Sequence, residues 1–233
     1  MIEASHTPTP VVPAAPRSKS RIFLVDDHEM FREGLRQLID RELDFVVSGD
    51  AADFEGALKG ISAFPPDLVI TDISLPGTSG IDLIKALKTG HPELPVLVVS
   101  MHEESLYAER ALRAGAMGYV MKQEPAKAVK AAIRKVLGGD IHLSEKMAAA
   151  MLGKLVHERT SEKQVSPIEN LSNRELEVFR LLGQGKASRE IALQLDLSVA
   201  TINSFRNRIK EKLDLKNSTE LILHAIHWVR ENS

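Results

Sequence analysis

Cysteine is absent from the 233 residues, which excludes disulfides and thiolate metal sites and agrees with a reducing, cytoplasmic setting. No apolar run approaches the roughly 18 residues that a membrane-spanning helix needs, so no membrane partner is expected. No G-x-G-x-x-G follows the first apolar run, which removes a dinucleotide-binding reading. Aromatic residues make up 4% of the chain, with Trp228 the single tryptophan. Neither sign of charge dominates, with 30 Lys/Arg against 32 Asp/Glu, but the balance shifts along the chain. Met1 to Glu169 holds 20 basic and 24 acidic residues, whereas Asn170 to Ser233 holds 10 and 8. The mildly basic C-terminal part is the one suited to a polyanion, provided its cations cluster.

The chain is comfortable for two domains. Residues 1–20 contain four prolines and no sustained period; they read as a disordered arm, and the prolines interrupt any secretory apolar core. From Arg21 short apolar runs alternate with helical periods. RIFLV (Arg21 to Val25), FVVSG (Phe45 to Gly49), LVIT (Leu68 to Thr71), VLVVS (Val96 to Ser100) and GYVM (Gly118 to Met121) are strand candidates. Their continuous apolar character suits a parallel sheet covered on both faces. Helical patterns lie between them, with Met30, Phe31, Leu35, Leu38 and Ile39 expected on one side of the first. Others fall near Phe54 to Ile61, Gly80 to Leu87, Glu103 to Ala114 and Pro125 to Leu137. Repeated βα units predict an α/β fold, an open, doubly wound sheet over residues 21–140. Residues 141–169 read as a short helical stretch followed by a linker over Gly153 to Glu169, part of it helical. Residues 170–233 read as an all-α domain of four helices, the first opened by a Ser172-x-x-Glu175 capping box. Ser188 and Ser198 are the expected caps of the next two.

Carboxylates end two of the strands: Asp26 and Asp27 follow the first, and Asp72 follows the third. In a flavodoxin-like strand order, 2-1-3-4-5, the first and third strands are neighbours at the switch point, where ligands bind. Converging carboxylates repel unless a cation sits among them, which points to a hard divalent ion held by oxygen, Mg2+ being the natural candidate. Ser100 ends the fourth strand and Lys122 follows the fifth, adding a hydroxyl and a cation to the same edge. Such a group can make Asp72 a nucleophile for a phosphoryl group.

FLVDDHEMFREGL, VITDISLPGTSGIDLI, VLVVSMHEE, RALRAGAMGYVMKQEP and IRKVLGGDIHLSE together resemble the receiver domain of two-component response regulators. The resemblance covers about Arg21 to Asp140. It implies Asp72 as the phosphoacceptor, Asp26 and Asp27 as acidic metal-site residues, and the backbone carbonyl of Ser74 as a further ligand. It also implies that Ser100 and Lys122 contact the phosphoryl group and that Tyr119 is the rotating switch aromatic. A sensor histidine kinase is the implied donor.

Within the third C-terminal helix, Arg206, Arg208, Lys210 and Lys212 flank an apolar seam of Ile202, Phe205, Ile209 and Leu213. Charged helix faces usually only solvate a helix, but a short helix, a tight turn and this longer helix form a helix-turn-helix unit. The block LSNRELEVFRLLGQGKASREIALQLDLSVATINSFRNRIKEKLDLKNSTEL resembles the LuxR-type DNA-binding domain of the NarL/FixJ family. That resemblance places Ala200, Thr201, Asn203, Ser204 and Asn207 toward bases and backbone, with Arg206, Arg208 and Lys212 as phosphate partners. Where the family commonly reads Thr-Val-Lys-x-His this chain reads TINSF. The exchange removes a cation at Asn203 and a histidine at Phe205, so an altered sequence preference is expected. His224 and His227, three apart on the last helix, have a metal-chelating spacing, but with no cysteine in the chain they read as surface or interface residues.

The expected function is phosphorylation-controlled DNA binding by a homodimer, and not an enzyme. Two rivals stay open: an aspartyl-phosphate phosphatase, which would usually carry a second Asp where Ser74 stands, and a constitutive DNA binder in which Asp72 is a remnant.

Overall fold

Ile22 and Leu24 face one side of the central sheet while Phe23 and Val25 face the other, and all four are buried. That alternation is repeated in the neighbouring strands and builds two apolar layers, one on each face. The computed structural model describes residues 19–158 and 167–231. The expected arm over residues 1–20, apart from its last two residues, and much of the expected linker lie outside the described residues. Five parallel strands, β1 (Ser20–Val25), β2 (Phe45–Ala51), β3 (Leu68–Thr71), β6 (Val96–Ser100) and β7 (Gly118–Met121), form one sheet in the order β2-β1-β3-β6-β7. This is the doubly wound order expected from the sequence. Helices α1 (Glu29–Asp40) and α5 (Ala126–Leu137) cover one face. Helices α2 (Phe54–Ala63), α3 (Gly80–Gly90) and α4 (Glu104–Ala114) cover the other.

A two-strand hairpin, β4 (Ser74–Leu75) with β5 (Thr78–Ser79), sits directly after the third strand. The sequence suggests only a Pro-Gly turn there. Gly77 takes φ 70° between the two strands, a conformation that suits glycine. At the start of α3, a Cβ on Gly80 would stand 1.8 Å from the Asp72 carbonyl oxygen. Only glycine lets the helix begin against the backbone of the acid.

Some local expectations change. Met30 is 89% exposed; at 100° per residue it lies more than a quarter-turn from the centre of the Phe31, Leu35, Leu38 and Ile39 stripe, so it clears the sheet. Helix α6 (Glu145–Glu158) runs through Gly153 into the first part of the expected linker, which the sequence reads as partly helical; a single glycine weakens a helix without stopping it. Ser188 is the first residue of α8 (Ser188–Gln194), and Ala187 precedes it without a side-chain cap. The Glu190 carboxylate instead accepts from the Ala187 amide at 2.7 Å.

After a 3₁₀ turn at Pro167–Asn170, helices α7 (Asn173–Gly183), α8, α9 (Val199–Lys212) and α10 (Ser218–Glu231) make the helical unit. The Ser172 to Glu175 capping box forms in both directions, and Ser198 accepts from the Thr201 amide at 3.0 Å. Asp196 turns the chain from α8 to α9 at φ 50°, a conformation aspartate tolerates. Helix α7 is buried almost all round, Arg174, Glu175 and Glu177 included. One face packs on α10 and the other on the sheet domain, so a single apolar layer runs from Val98 and Tyr107 into Leu176 and Phe179. Arg110 of α4 seals this junction by donating to the carbonyls of Leu171 at 2.6 Å and Ile168 at 3.1 Å. Among the described residues no helix is long and apolar enough to cross a membrane.

Gly80→Ala is expected to lower the unfolding free energy by about 1–3 kcal/mol through overpacking against a backbone carbonyl, read as a shifted midpoint in urea denaturation.

Candidate phosphoacceptor site and nucleic-acid interface

Strand register brings the acids together. Val25 pairs with Thr71 across β1 and β3, so Asp26 and Asp72, each one residue further, emerge side by side. Ser100 pairs with Met121 across β6 and β7, and Lys122 follows. Lys122 Nζ stands 2.6 Å from Asp26 Oδ2 and 2.7 Å from Asp72 Oδ2, with all three side chains buried. The Phe31 ring lies beneath the ammonium, 4.3 Å from its centroid. The other Asp72 oxygen accepts from Ser100 Oγ at 2.5 Å and from the Ile73 amide at 2.6 Å.

Electrostatics follow from this crowding. Burial, with Asp72 beside it, raises the Asp26 carboxyl above the usual range, although Lys122 opposes the shift. Burial acts against the charge on Lys122, yet Asp72 and Asp26 outweigh it and hold the ammonium above its ordinary value. Asp27 and His28 are exposed at the rim, 2.7 Å apart between Oδ1 and Nδ1. Asp26, Asp27, His28 and Asp72 can each direct one ligand atom into a space less than 4.8 Å across. One ammonium paired with Asp26 and Asp72, with Asp27 close by, leaves an excess of negative oxygen, a donor set that fits a small hard cation such as Mg2+.

Tyr119 is fully buried, and its hydroxyl donates to the His102 carbonyl at 2.8 Å. Burial raises its pKa, so it is a neutral donor at any ordinary pH. Ser74 is placed in β4, where its hydroxyl turns toward the helical unit and donates to Glu177 at 2.9 Å. Glu177, His102 and Arg174 form a buried cluster around that hydroxyl, and sequence reasoning missed all three. Arg174 and Glu177 look like ordinary polar positions of a surface helix, and no local period shows that a second domain covers them. Burial opposes the Glu177 charge, but the hydrogen bond from His102 and the nearby Arg174 guanidinium prevail and hold its pKa down to about 2.

On the helical unit, Ala200, Asn203, Ser204, Asn207 and Arg208 lie exposed along α9, and Thr201 and Arg206 are half-buried. Ile202, Ile209 and Leu213 form the buried seam, with Phe205 at its margin beneath the Arg208 guanidinium, 5.7 Å from the ring centroid. Arg206 donates to Ser188 Oγ at 2.7 Å, which ties α9 to α8. Lys212 is engaged within the domain, at 2.6 Å from Glu175 and 3.2 Å from the Asn170 carbonyl. His224 packs near Phe179, and His227 pairs with Glu231 at 3.3 Å.

Residues 22–134 match the family model described as "Response regulator receiver domain", and residues 169–225 match "Bacterial regulatory proteins, luxR family". The chain is 30% identical over 227 residues to the transcriptional regulatory protein DegU of Brevibacillus brevis, covering 91% of this chain and 96% of that one. It is 32% identical over 205 residues to the response regulator UvrY of Escherichia coli, covering 88% and 93%. Among solved structures it resembles RcsB from Salmonella enterica serovar Typhimurium bound to promoter rprA in the presence of phosphomimetic BeF3-. There the TM-score is 0.57 and the identity 26%, over 89% of this chain and 98% of that one.

Two outcomes follow from the buried charges. Lys122→Met leaves Asp26 and Asp72 without their cation and is expected to cost about 3 kcal/mol of stability; added Mg2+ should restore much of it, measured by thermal melts with and without the ion. A glutamate held below its unfolded value stabilises the fold above that value. Stability from Glu177 should therefore be complete above about pH 4.5 and lost toward pH 2, by on the order of 3 kcal/mol. Glu177→Gln should flatten that part of the stability profile, measured by urea denaturation across the range.

Proposed function

Because this chain belongs to the two-component response regulators that join a receiver domain to a LuxR-type DNA-binding domain, we propose that Asp72 is its phosphoacceptor and DNA its target. The observation that carries the reading is the direct contact of Asp72 with both Ser100 and Lys122 at the edge where Asp26 also emerges. A carboxylate oxygen of Asp72 attacks phosphorus, the bond from phosphorus to a sensor kinase's histidine or to a small acyl-phosphate donor breaks, and an aspartyl phosphate remains. The Lys122 ammonium and Ser100 hydroxyl, now bound to the carboxylate, donate to the phosphoryl oxygens instead. Asp26, Asp27, Asp72 and the Ser74 carbonyl would hold Mg2+, which when bound supplies neutralising charge for those oxygens. Tyr119 turns from its His102 partner as Ser100 moves, the two-state element such a switch needs.

Two phosphorylated copies then pair on DNA half-sites about 10 bp apart. Exposure along α9 supports Ala200, Asn203, Ser204 and Asn207 as base and backbone contacts and Arg208 toward phosphates, with the half-buried Thr201 and Arg206 at the edge of that surface. Lys212 would serve there only after leaving Glu175. The setting is the cytoplasm, and the protein acts as a transcriptional regulator rather than as an enzyme with turnover.

Incubation with Mg2+ and acetyl phosphate should add one phosphoryl group to the wild type and none to Asp72→Ala, read by intact mass, and raise DNA affinity only in the former. No mass gain in the wild type would sink the reading. Asn203→Lys should steepen the salt dependence of DNA binding by about 0.9 in log K per log salt for each copy bound and shift the preferred site, measured by fluorescence anisotropy; an unchanged slope and site would show that position 203 does not face DNA.

A further inference from the structure

Helix α9 carries four cations, Arg206, Arg208, Lys210 and Lys212, and the fold engages two of them internally. Arg206 donates to Ser188 Oγ of α8 at 2.7 Å. Lys212 is held by Glu175 at 2.6 Å and by the Asn170 carbonyl at 3.2 Å. Both therefore join parts of the helical unit to one another. Arg208 is different: it is exposed, and among the described residues it meets no acceptor. The contact it makes is with the ring of Phe205, whose centroid stands 5.7 Å from the guanidinium carbon. Lys210 is half-buried and lies roughly 160° round the helix from Arg208.

Spacing and burial explain why this pair forms. Residues three apart share one side of a helix. Phe205 is half-buried against the core, at the margin of the seam made by Ile202, Ile209 and Leu213, so packing holds its ring. Ala200, Ser204 and Asn207 run along the exposed face with Asn203 beside them, and Arg208 stands roughly a quarter-turn from the middle of that row. A helix with its side chains is about 10–12 Å across and the major groove about 12 Å wide. With the row toward the bases, Arg208 faces the groove wall, where the phosphates lie. An arginine side chain carries about 2 kcal/mol of rotamer entropy, which a contact with DNA would otherwise have to overcome. The ring restrains the guanidinium without supplying an acceptor, so its N–H groups stay available to phosphate oxygens.

We propose that Phe205 is a positioning residue for DNA binding, its ring holding the Arg208 guanidinium at the flank of α9 for a backbone phosphate. The proposal rests on the reading of DNA as the target and deepens it. It also gives the two departures from the family pattern different effects. Asn203, in the exposed row, bears on which sequence is preferred. Phe205, beneath Arg208, bears on how tightly any sequence is held. The histidine that the family commonly carries there has a smaller ring and, when protonated, repels a guanidinium, so it would hold Arg208 less well.

The test measures affinity against salt by fluorescence anisotropy for the full-length protein treated with Mg2+ and acetyl phosphate. Two duplexes are used, one selected by the wild type from a random pool and one of unselected sequence. Phe205→Leu keeps an apolar side chain on the seam and every cation, so affinity should fall about two- to fivefold for each copy bound, equally on both duplexes and with the salt slope unchanged. Arg208→Ala should flatten the slope by about 0.9 in log K per log salt for each copy bound. Adding Phe205→Leu to Arg208→Ala should then cost nothing more, and Phe205→Tyr, which keeps a ring, should bind as the wild type does. Thermal melts establish that each variant is folded; should Phe205→Leu fail to fold, Phe205→His carries the same expectation. Equal losses from Phe205→Leu with and without Arg208 would mean that the ring only supports the helix, and would overturn the proposal, as would wild-type affinity in the single variant. A wild type that binds neither duplex overturns the reading of DNA as the target, and the positioning role with it.

Discussion

One buried ammonium organises the reactive edge of this protein. Lys122 sits between Asp26 and Asp72, over the ring of Phe31, and lets two carboxylates leave water side by side. Without it their repulsion and desolvation would oppose the strand register that aligns β1 with β3. The same cation leaves one Asp72 oxygen for Ser100 and the Ile73 amide, so both oxygens of the acid are held in place. Structural stability and readiness for chemistry thus rest on one ion-pair geometry.

The sheet was legible because its signals are local. Five short apolar runs, each ending at a polar residue, predict strands whose bounds differ from those observed by two residues at most. The convergence of Asp26, Asp72, Ser100 and Lys122 follows from strand order, since residues at one end of a parallel sheet have few places to go. Caps at Ser172 and Ser198 were legible for the same reason: the acceptor and its amide lie three residues apart. Ala187 shows the limit, because Ser188 could serve as cap or as first helical residue, and the Glu190 carboxylate decides for the latter.

What stayed hidden depends on contacts between distant parts of the chain. Glu177 and Ser74 are 103 residues apart, and nothing in the period of α7 marks one polar residue as buried and another as wet. Lys212 shows the same difficulty. In sequence it belongs to a row of cations, but in space it neutralises Glu175, the acid that also completes the α7 cap. Charge counting along a helix cannot separate a cation offered to DNA from one that holds two helices together.

The exposed face of α9 has a further consequence for how a regulator of this build finds its sites. A single copy can sample duplex DNA through its unshielded recognition helix, weakly and with a salt-dependent, largely sequence-independent grip. In the proposed dimer, pairing would add no new kind of contact; it would give the second helix a high effective concentration once the first has landed, and affinity would rise by that factor. Search and commitment are then separate steps, the first set by the helix surface and the second by whether two copies stand at the right spacing.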